Sequence, residues 1–169
     1  MTLAQSDDEG VAGLTQQSFI GSALFEKTFE EGMSLVDETA KYLDGRGRDE
    51  ARALPRKIAM LYAGESMRVT TRLMQAASWL LVQRAVHDGD MEAGIASQDR
   101  YRLGSKEICL GKSGEGIESL PGTLQDLLDR SDNLYRRIAR LDDVLFGAGS
   151  PVSGARGQLD ALAQAFGGK

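Results

Sequence analysis

The sequence predicts an all-α fold, a three-helix bundle with a long central helix that pairs with a second copy as a homodimer. Three observations predict it. Three stretches repeat apolar residues at three- and four-residue spacing, and the central one does so along two separate lines. All three prolines, Pro55, Pro121 and Pro151, fall beside the boundaries of periodic segments, where a residue without an N–H is best tolerated.

The first helix is predicted from Ser18 to Leu43, with Phe25, Phe29, Met33, Val36, Ala40 and Leu43 on its apolar face and charged residues between them. Asp44 and Gly45 end it, the glycine supplying a left-handed closing residue, and Gly45–Arg48 follows as a loop. The second helix is predicted from about Pro55 to Asp88, before Gly89. One of its seams holds Met60, Ala63, Met67, Thr70, Met74, Ala77 and Leu81; the other holds Ile58, Tyr62, Val69, Leu73, Ala76 and Leu80, with Glu65 filling one step. At about 100° per residue the seams lie well apart, so two different surfaces must cover them. Either the flanking helices take one seam each, in an up-down-up bundle, or one seam faces a twin chain. The central helix outreaches its neighbours, which favours the twin. Gly32 and Gly64 sit inside predicted helices, where each costs about 1 kcal/mol relative to alanine unless a close crossing offsets it.

Beyond the second helix, Met91–Gln98 is predicted as a short helix, Tyr101–Leu110 as extended, and Gly111–Gly122 as a glycine-rich loop. The third helix runs from about Thr123, its cap, to Phe146, along Leu124, Leu127, Ser131, Leu134, Ile138, Leu141 and Leu145. The folded domain is thus expected over 18–146, between flexible tails at 1–17 and 147–169, the second carrying a weak helical patch at 158–166.

Composition narrows the function. The chain has 169 residues, 41% of them apolar, with 20 Lys and Arg against 25 Asp and Glu. That length buries a sufficient core without a metal or disulfide staple. The net charge of −5 argues against a nucleic-acid partner, whose affinity comes largely from basic side chains displacing counterions. The first residues are acidic where a signal peptide is basic, and no apolar run approaches the length of a membrane span, so the expected location is cytoplasmic with no membrane partner.

Candidate chemistry is sparse, and the expectation is no enzyme, no cofactor and no metal. Leu110–Gly114 (LGKSG) resembles part of a phosphate-binding loop, but Lys106 stands where the first glycine belongs, so the segment reads as a connector. His87, the only histidine, ends the second helix, where the dipole favours it. Cys109 reads as small buried filler. The carboxylate pairs Glu30/Glu31 and Asp142/Asp143 read as solvated faces. A helix-turn-helix around Met91–Gln98 meets an acidic local balance, four basic against six acidic residues over 89–122. The informative feature is a strip between the two seams: Arg68, Arg72 and Gln75, with Glu65 below and Trp79 above, on a helix of local charge +3. These five residues, Glu65, Arg68, Arg72, Gln75 and Trp79, are the candidate protein-interaction site, because Trp and Arg most often anchor interfaces. The competing reading is internal: Glu65 pairs with Arg68 or Arg72, and Trp79 fills the core.

Glu65–Val86 (ESMRVTTRLMQAASWLLVQRAV) resembles the most characteristic stretch of the alphaproteobacterial RcdA-like family, named for the regulator of CtrA degradation and also described as a domain-of-unknown-function family. Glu31–Arg48, Tyr101–Cys109 and Ser119–Phe146 resemble it in the same order, so the likeness covers about Phe19–Phe146. The resemblance implies a three-helix-bundle homodimer without enzymatic activity, an adaptor that helps the ClpXP protease degrade cell-cycle regulators such as CtrA. Its implied partners are ClpXP and response-regulator or cargo proteins. The alternative is a transcription-related helical module that binds DNA or protein.

Overall fold

The computed structural model describes residues 21–147; the start of the expected first helix, the tail at 1–17 and the patch at 158–166 lie outside the described residues. Six α-helices follow in order: α1 (Ala23–Asp44), α2 (Arg46–Arg52), α3 (Arg56–His87), α4 (Ala93–Ala96), α5 (Lys106–Cys109) and α6 (Gly122–Phe146). Single 3-10 turns stand at Asp99–Tyr101 and Ile117–Ser119, and there is no strand among the described residues. The all-α expectation holds. None of the helices is long and apolar enough to cross a membrane.

Ser22 starts α1 by accepting a hydrogen bond from the Phe25 N–H, which satisfies one of the orphan donors of the first turn. The face α1 buries is Phe25, Thr28, Gly32, Leu35, Thr39 and Tyr42, one residue round from the expected one; Phe29, Met33, Val36 and Leu43 flank it half-buried and Ala40 is exposed. The cause is Gly32. A Cβ there would lie 2.8 Å from Leu80 Cδ1, so the helices cross at the glycine and the small residues in line with it turn inward. Thr28 is tolerated in that line because its hydroxyl donates to the Leu24 carbonyl at 2.8 Å.

Gly45 does not close α1 in a left-handed conformation; with φ −110° and ψ −115° it turns the chain straight into α2, where a loop was expected. The Arg46–Glu50 pair, 3.0 Å apart, supports that short helix, and Gly47 fits under Tyr42 and Tyr62, where any Cβ would come within 2.7 Å of the Tyr62 Oη. Thr123 does not cap α6. Pro121 occupies that position, and the Thr123 hydroxyl instead receives a hydrogen bond from Arg46.

The up-down-up arrangement is corrected. Glu26 meets Arg84 at 2.9 Å and Gly32 meets Leu80, so α1 runs antiparallel to α3. Glu31–Arg137 and Glu38–Arg130, both at 2.7 Å, set α1 antiparallel to α6 as well. Helices α3 and α6 are therefore parallel. A parallel pair requires the chain to return along the whole of α3, about 48 Å for 32 residues, and residues 88–121 make that return. We call this segment the crossover.

The buried seam of α3 carries both neighbours. Val69, Leu73, Ala76 and Leu80 are buried beneath α1 and α6, and α6 supplies Leu124, Leu127, Leu134 and Ile138, each wholly buried. Ser131 in that row is buried too, its hydroxyl donating to the Leu128 carbonyl at 2.9 Å. Leu141 sits half-buried at the edge. Among the described residues nothing covers the other seam, where only Ala77 is half-buried.

Candidate protein-interaction site

The strip Glu65, Arg68, Arg72, Gln75, Trp79 lies along α3 beneath the crossover, which runs antiparallel to it. Residues 97–116 hold only one turn of α-helix and one of 3-10, so their backbone groups lack the partners that a long helix provides internally. The strip supplies them one by one. Gln75 Oε1 accepts from the Gly104 N–H at 3.1 Å. Arg72 Nε donates to the Cys109 carbonyl at 2.8 Å, and Arg68 Nη1 donates to the carbonyls of Ile108 and Gly111 at 3.4 and 2.5 Å. Glu65 Oε1 accepts from the Gly114 N–H at 3.1 Å while its other oxygen faces Arg68 Nε at 3.2 Å. Two acceptors, Glu65 and Gln75, thus bracket two donors, Arg68 and Arg72, along α3 to match the groups passing over them.

Arg72 links three elements. Besides Cys109 it donates through Nη1 to the Leu128 carbonyl at 3.2 Å and pairs through Nη2 with Asp132 at 2.9 Å, while only 3% exposed. A guanidinium is the one side chain with enough fixed donors for this. Burial pulls its pKa down and the Asp132 carboxylate opposes that shift. The Cys109 thiol, fully buried, is pushed up by the same desolvation.

The upper end closes on a residue the sequence reading placed in solvent. Asp142 is 0% exposed. Its Oδ1 accepts from Trp79 Nε1 at 2.9 Å and from the Leu103 N–H at 3.3 Å; its Oδ2 faces Arg102 Nε at 2.9 Å and Nη2 at 2.8 Å. Four donors around one carboxylate make its burial tolerable. Asp143 beside it is exposed and pairs with Lys106 at 3.1 Å, as a solvated carboxylate should. Tyr135 completes the joint, its hydroxyl donating to the Gly104 carbonyl at 2.6 Å, and burial pushes that phenol up. Gly104 is held at both its groups, and Ser105 next to it takes the left-handed conformation, φ 58°, from which α5 starts. The extended segment expected at 101–110 is thereby corrected: no neighbouring strand meets this backbone, and side chains of α3 and α6 satisfy it instead.

The expectation that the strip faces solvent or a partner is corrected likewise. Glu65, Arg72 and Trp79 are buried, Arg68 and Gln75 half-buried, and all five bond within their own chain. Reasoning from sequence missed Asp142, Arg102, Asp132 and Tyr135. One signal existed: Asp142 stands four residues after Ile138, in register with the leucine seam and opposite the only tryptophan. The LGKSG segment lies under the same fastening, with the Gly114 N–H turned to the Glu65 carboxylate. His87 ends α3 exposed. The described residues contain no group of His, Cys, Asp and Glu arranged to hold a metal.

The surface open to another molecule lies on the opposite flank of α3. Met60, Met67, Met74 and Leu81, spaced by sevens, are 70%, 72%, 65% and 53% exposed, with Ala63, Gly64, Thr70 and Ser78 exposed between them. Among the described residues a Cβ on Gly64 would meet nothing within 4 Å, so no close approach there accounts for that glycine.

The family described as "Protein of unknown function (DUF1465)" matches residues 16–166. Among solved structures, the crystal structure of RcdA from Caulobacter crescentus CB15 is similar at 50% identity, covering 75% of this chain and 94% of that one, with a TM-score of 0.62. The comparison with curated proteins finds no match. With the four resembling stretches in one order and the match running through every described helix, the chain belongs to the RcdA-like family, DUF1465.

Proposed function

We propose that this protein is a non-catalytic, dimeric three-helix-bundle adaptor of the cytoplasm that assists ClpXP in degrading cell-cycle regulators such as CtrA. The observation that carries the reading is the 50% identity to RcdA over 94% of that chain, together with the adaptor role the family resemblance implies. The fold suits such a role: a long, uninterrupted helix stiffened on one flank by its own crossover and open on the other. An adaptor of this kind accelerates proteolysis by tethering, which turns the second encounter into an intramolecular one at an effective concentration in the millimolar range. The five strip residues contribute by keeping the crossover in place.

A reconstituted assay tests the reading. Purified protein added to ClpXP, a response regulator and CtrA is expected to shorten the half-life of CtrA several-fold. An unchanged half-life with folded protein present, or a salt-sensitive gel shift with specific DNA, would replace the adaptor with the binding-module alternative.

A further inference from the structure

We propose that the end of the bundle at which α1 finishes and α3 and α6 begin is a docking surface for an acidic protein segment, with Arg48, Arg52, Arg56 and Lys57 as its cations. The inference goes beyond the adaptor reading and does not rest on it. Between Arg46 and Lys57 the chain carries five basic residues against two acidic ones, in a protein of net charge −5. Arg46 and Glu50 are committed to the fold. They pair at 3.0 Å, Arg46 also donates to the Thr123 hydroxyl at the start of α6, and Glu50 accepts from the Tyr42 hydroxyl at 2.7 Å. The other four cations are exposed.

Their placement runs against what the local structure favours. Arg56 and Lys57 occupy the first turn of α3, at the positive end of its dipole, and that turn holds no acid and no side-chain cap. Helix α6 begins at the same end, also without an acid in its first turn. Arg48 and Arg52 stand four apart on α2, where like charges repel. The carboxylates that reach them, Asp44 at 3.8 Å and Asp49 at 3.5 Å, are 84% and 78% exposed, so water screens both pairs and a partner readily displaces them. No ion pair among the described residues reaches Arg56 or Lys57. Local preferences broken without compensation gather at functional sites, and an arriving carboxylate relieves both of these.

The chemistry of this end selects the partner. Three of the four cations are arginines, whose planar forks match carboxylates. From Asp44 to Lys57 no large apolar side chain is exposed for burial in lipid, and the tyrosines beneath, Tyr42 and Tyr62, are buried and offer no face to a nucleic-acid base. The far end of α3, about 48 Å away, is acidic: Asp88, Asp90, Glu92 and Asp99 are exposed, and residues 88–99 hold no Lys or Arg. That end repels extended polyanions and turns the basic end toward a compact acidic segment.

Fluorescence anisotropy of the full chain with a labelled octaglutamate peptide, with no protease present, tests the surface. At low ionic strength the peptide is expected to bind with a dissociation constant below about 100 µM and to be released as salt rises. Arg48→Glu with Arg52→Glu is expected to weaken binding about tenfold. Arg56→Glu with Lys57→Glu is expected to weaken it as much while the thermal midpoint stays or rises, because acids suit the first turn of a helix; side chains with a purely structural role would lower that midpoint. Arg140→Glu, at an exposed cation of α6, is expected to leave binding unchanged. No binding at low salt, or undiminished binding by both double variants, would overturn the surface. Tighter binding of duplex DNA or of phosphatidylserine vesicles than of the peptide at the same salt would overturn the acidic segment as its partner.

Discussion

Two flanks of α3 invert the usual placement of side chains. One carries Glu65, Arg72 and Trp79, all buried, and the other carries three methionines and a leucine that are more than half exposed. The difference teaches that burial here follows what comes to lie over each flank. The crossover brings backbone carbonyls and N–H groups without internal partners, and only charged and amide side chains satisfy them. Nothing of the described chain covers the other flank, so its side chains are those suited to an apolar contact.

The contrast is broken most severely at Arg72. Arg72→Ala leaves Asp132 and the Cys109 carbonyl without their donor, and urea denaturation is expected to show a loss of about 3–5 kcal/mol, as for other broken buried pairs. A loss below about 1 kcal/mol would mean that the crossover does not depend on the strip. Leu134→Ala, in the core beneath both flanks, is expected to cost about 2–5 kcal/mol through the cavity it leaves. A shift of a few tenths would show that α6 packs elsewhere.

Alkaline pH probes the buried side more gently. Burial raises the Cys109 thiol above its ordinary 9.0 and the Tyr135 phenol above 10.0. The unfolded chain therefore releases these protons first and holds fewer of them than the folded chain above those values. Stability is complete below about pH 8.5 and falls as pH rises further, a decline that Cys109→Ala makes start later. Equal denaturation midpoints at pH 8 and pH 10 would contradict this. The smallest effect belongs to an ion pair on the open surface. Lys41 and Asp37, 2.7 Å apart and 75% and 64% exposed, should lose less than about 0.5 kcal/mol on Lys41→Ala, in contrast to the same truncation at Arg72.

How much the sequence discloses depends on what each residue meets. The leucine row of α6 is legible because every third or fourth residue faces the same neighbours, and Leu124 through Leu145 land inside as the spacing predicts, with only Leu141 at the edge. The ends of α3 are legible from Pro55 and Gly89. The buried face of α1 is misjudged by one residue, because large apolar side chains mark a seam in sequence whereas the closest crossing is made at Gly32. Helix α2 and the turns of the crossover are too short to show any period. The direction of α6 was hidden for the same reason, since a return path without periodicity reads as a loose loop. The strip was legible as a constellation and misread in orientation: arginine and glutamate are usually outside, and the backbone that draws them inward is up to 56 residues away in sequence.

Native-state hydrogen exchange of the full chain measures the central claim most directly, because the amides of Leu103, Gly104 and Gly114 lie outside the long helices and donate to Asp142, Gln75 and Glu65. If α3 holds the crossover as described, these three amides exchange at least a hundredfold more slowly than in an unstructured peptide, and Gln75→Ala frees Gly104 while the core amides of α6 stay protected. Exchange of all three at the peptide rate in the unaltered protein would show the polar flank of α3 standing open to water.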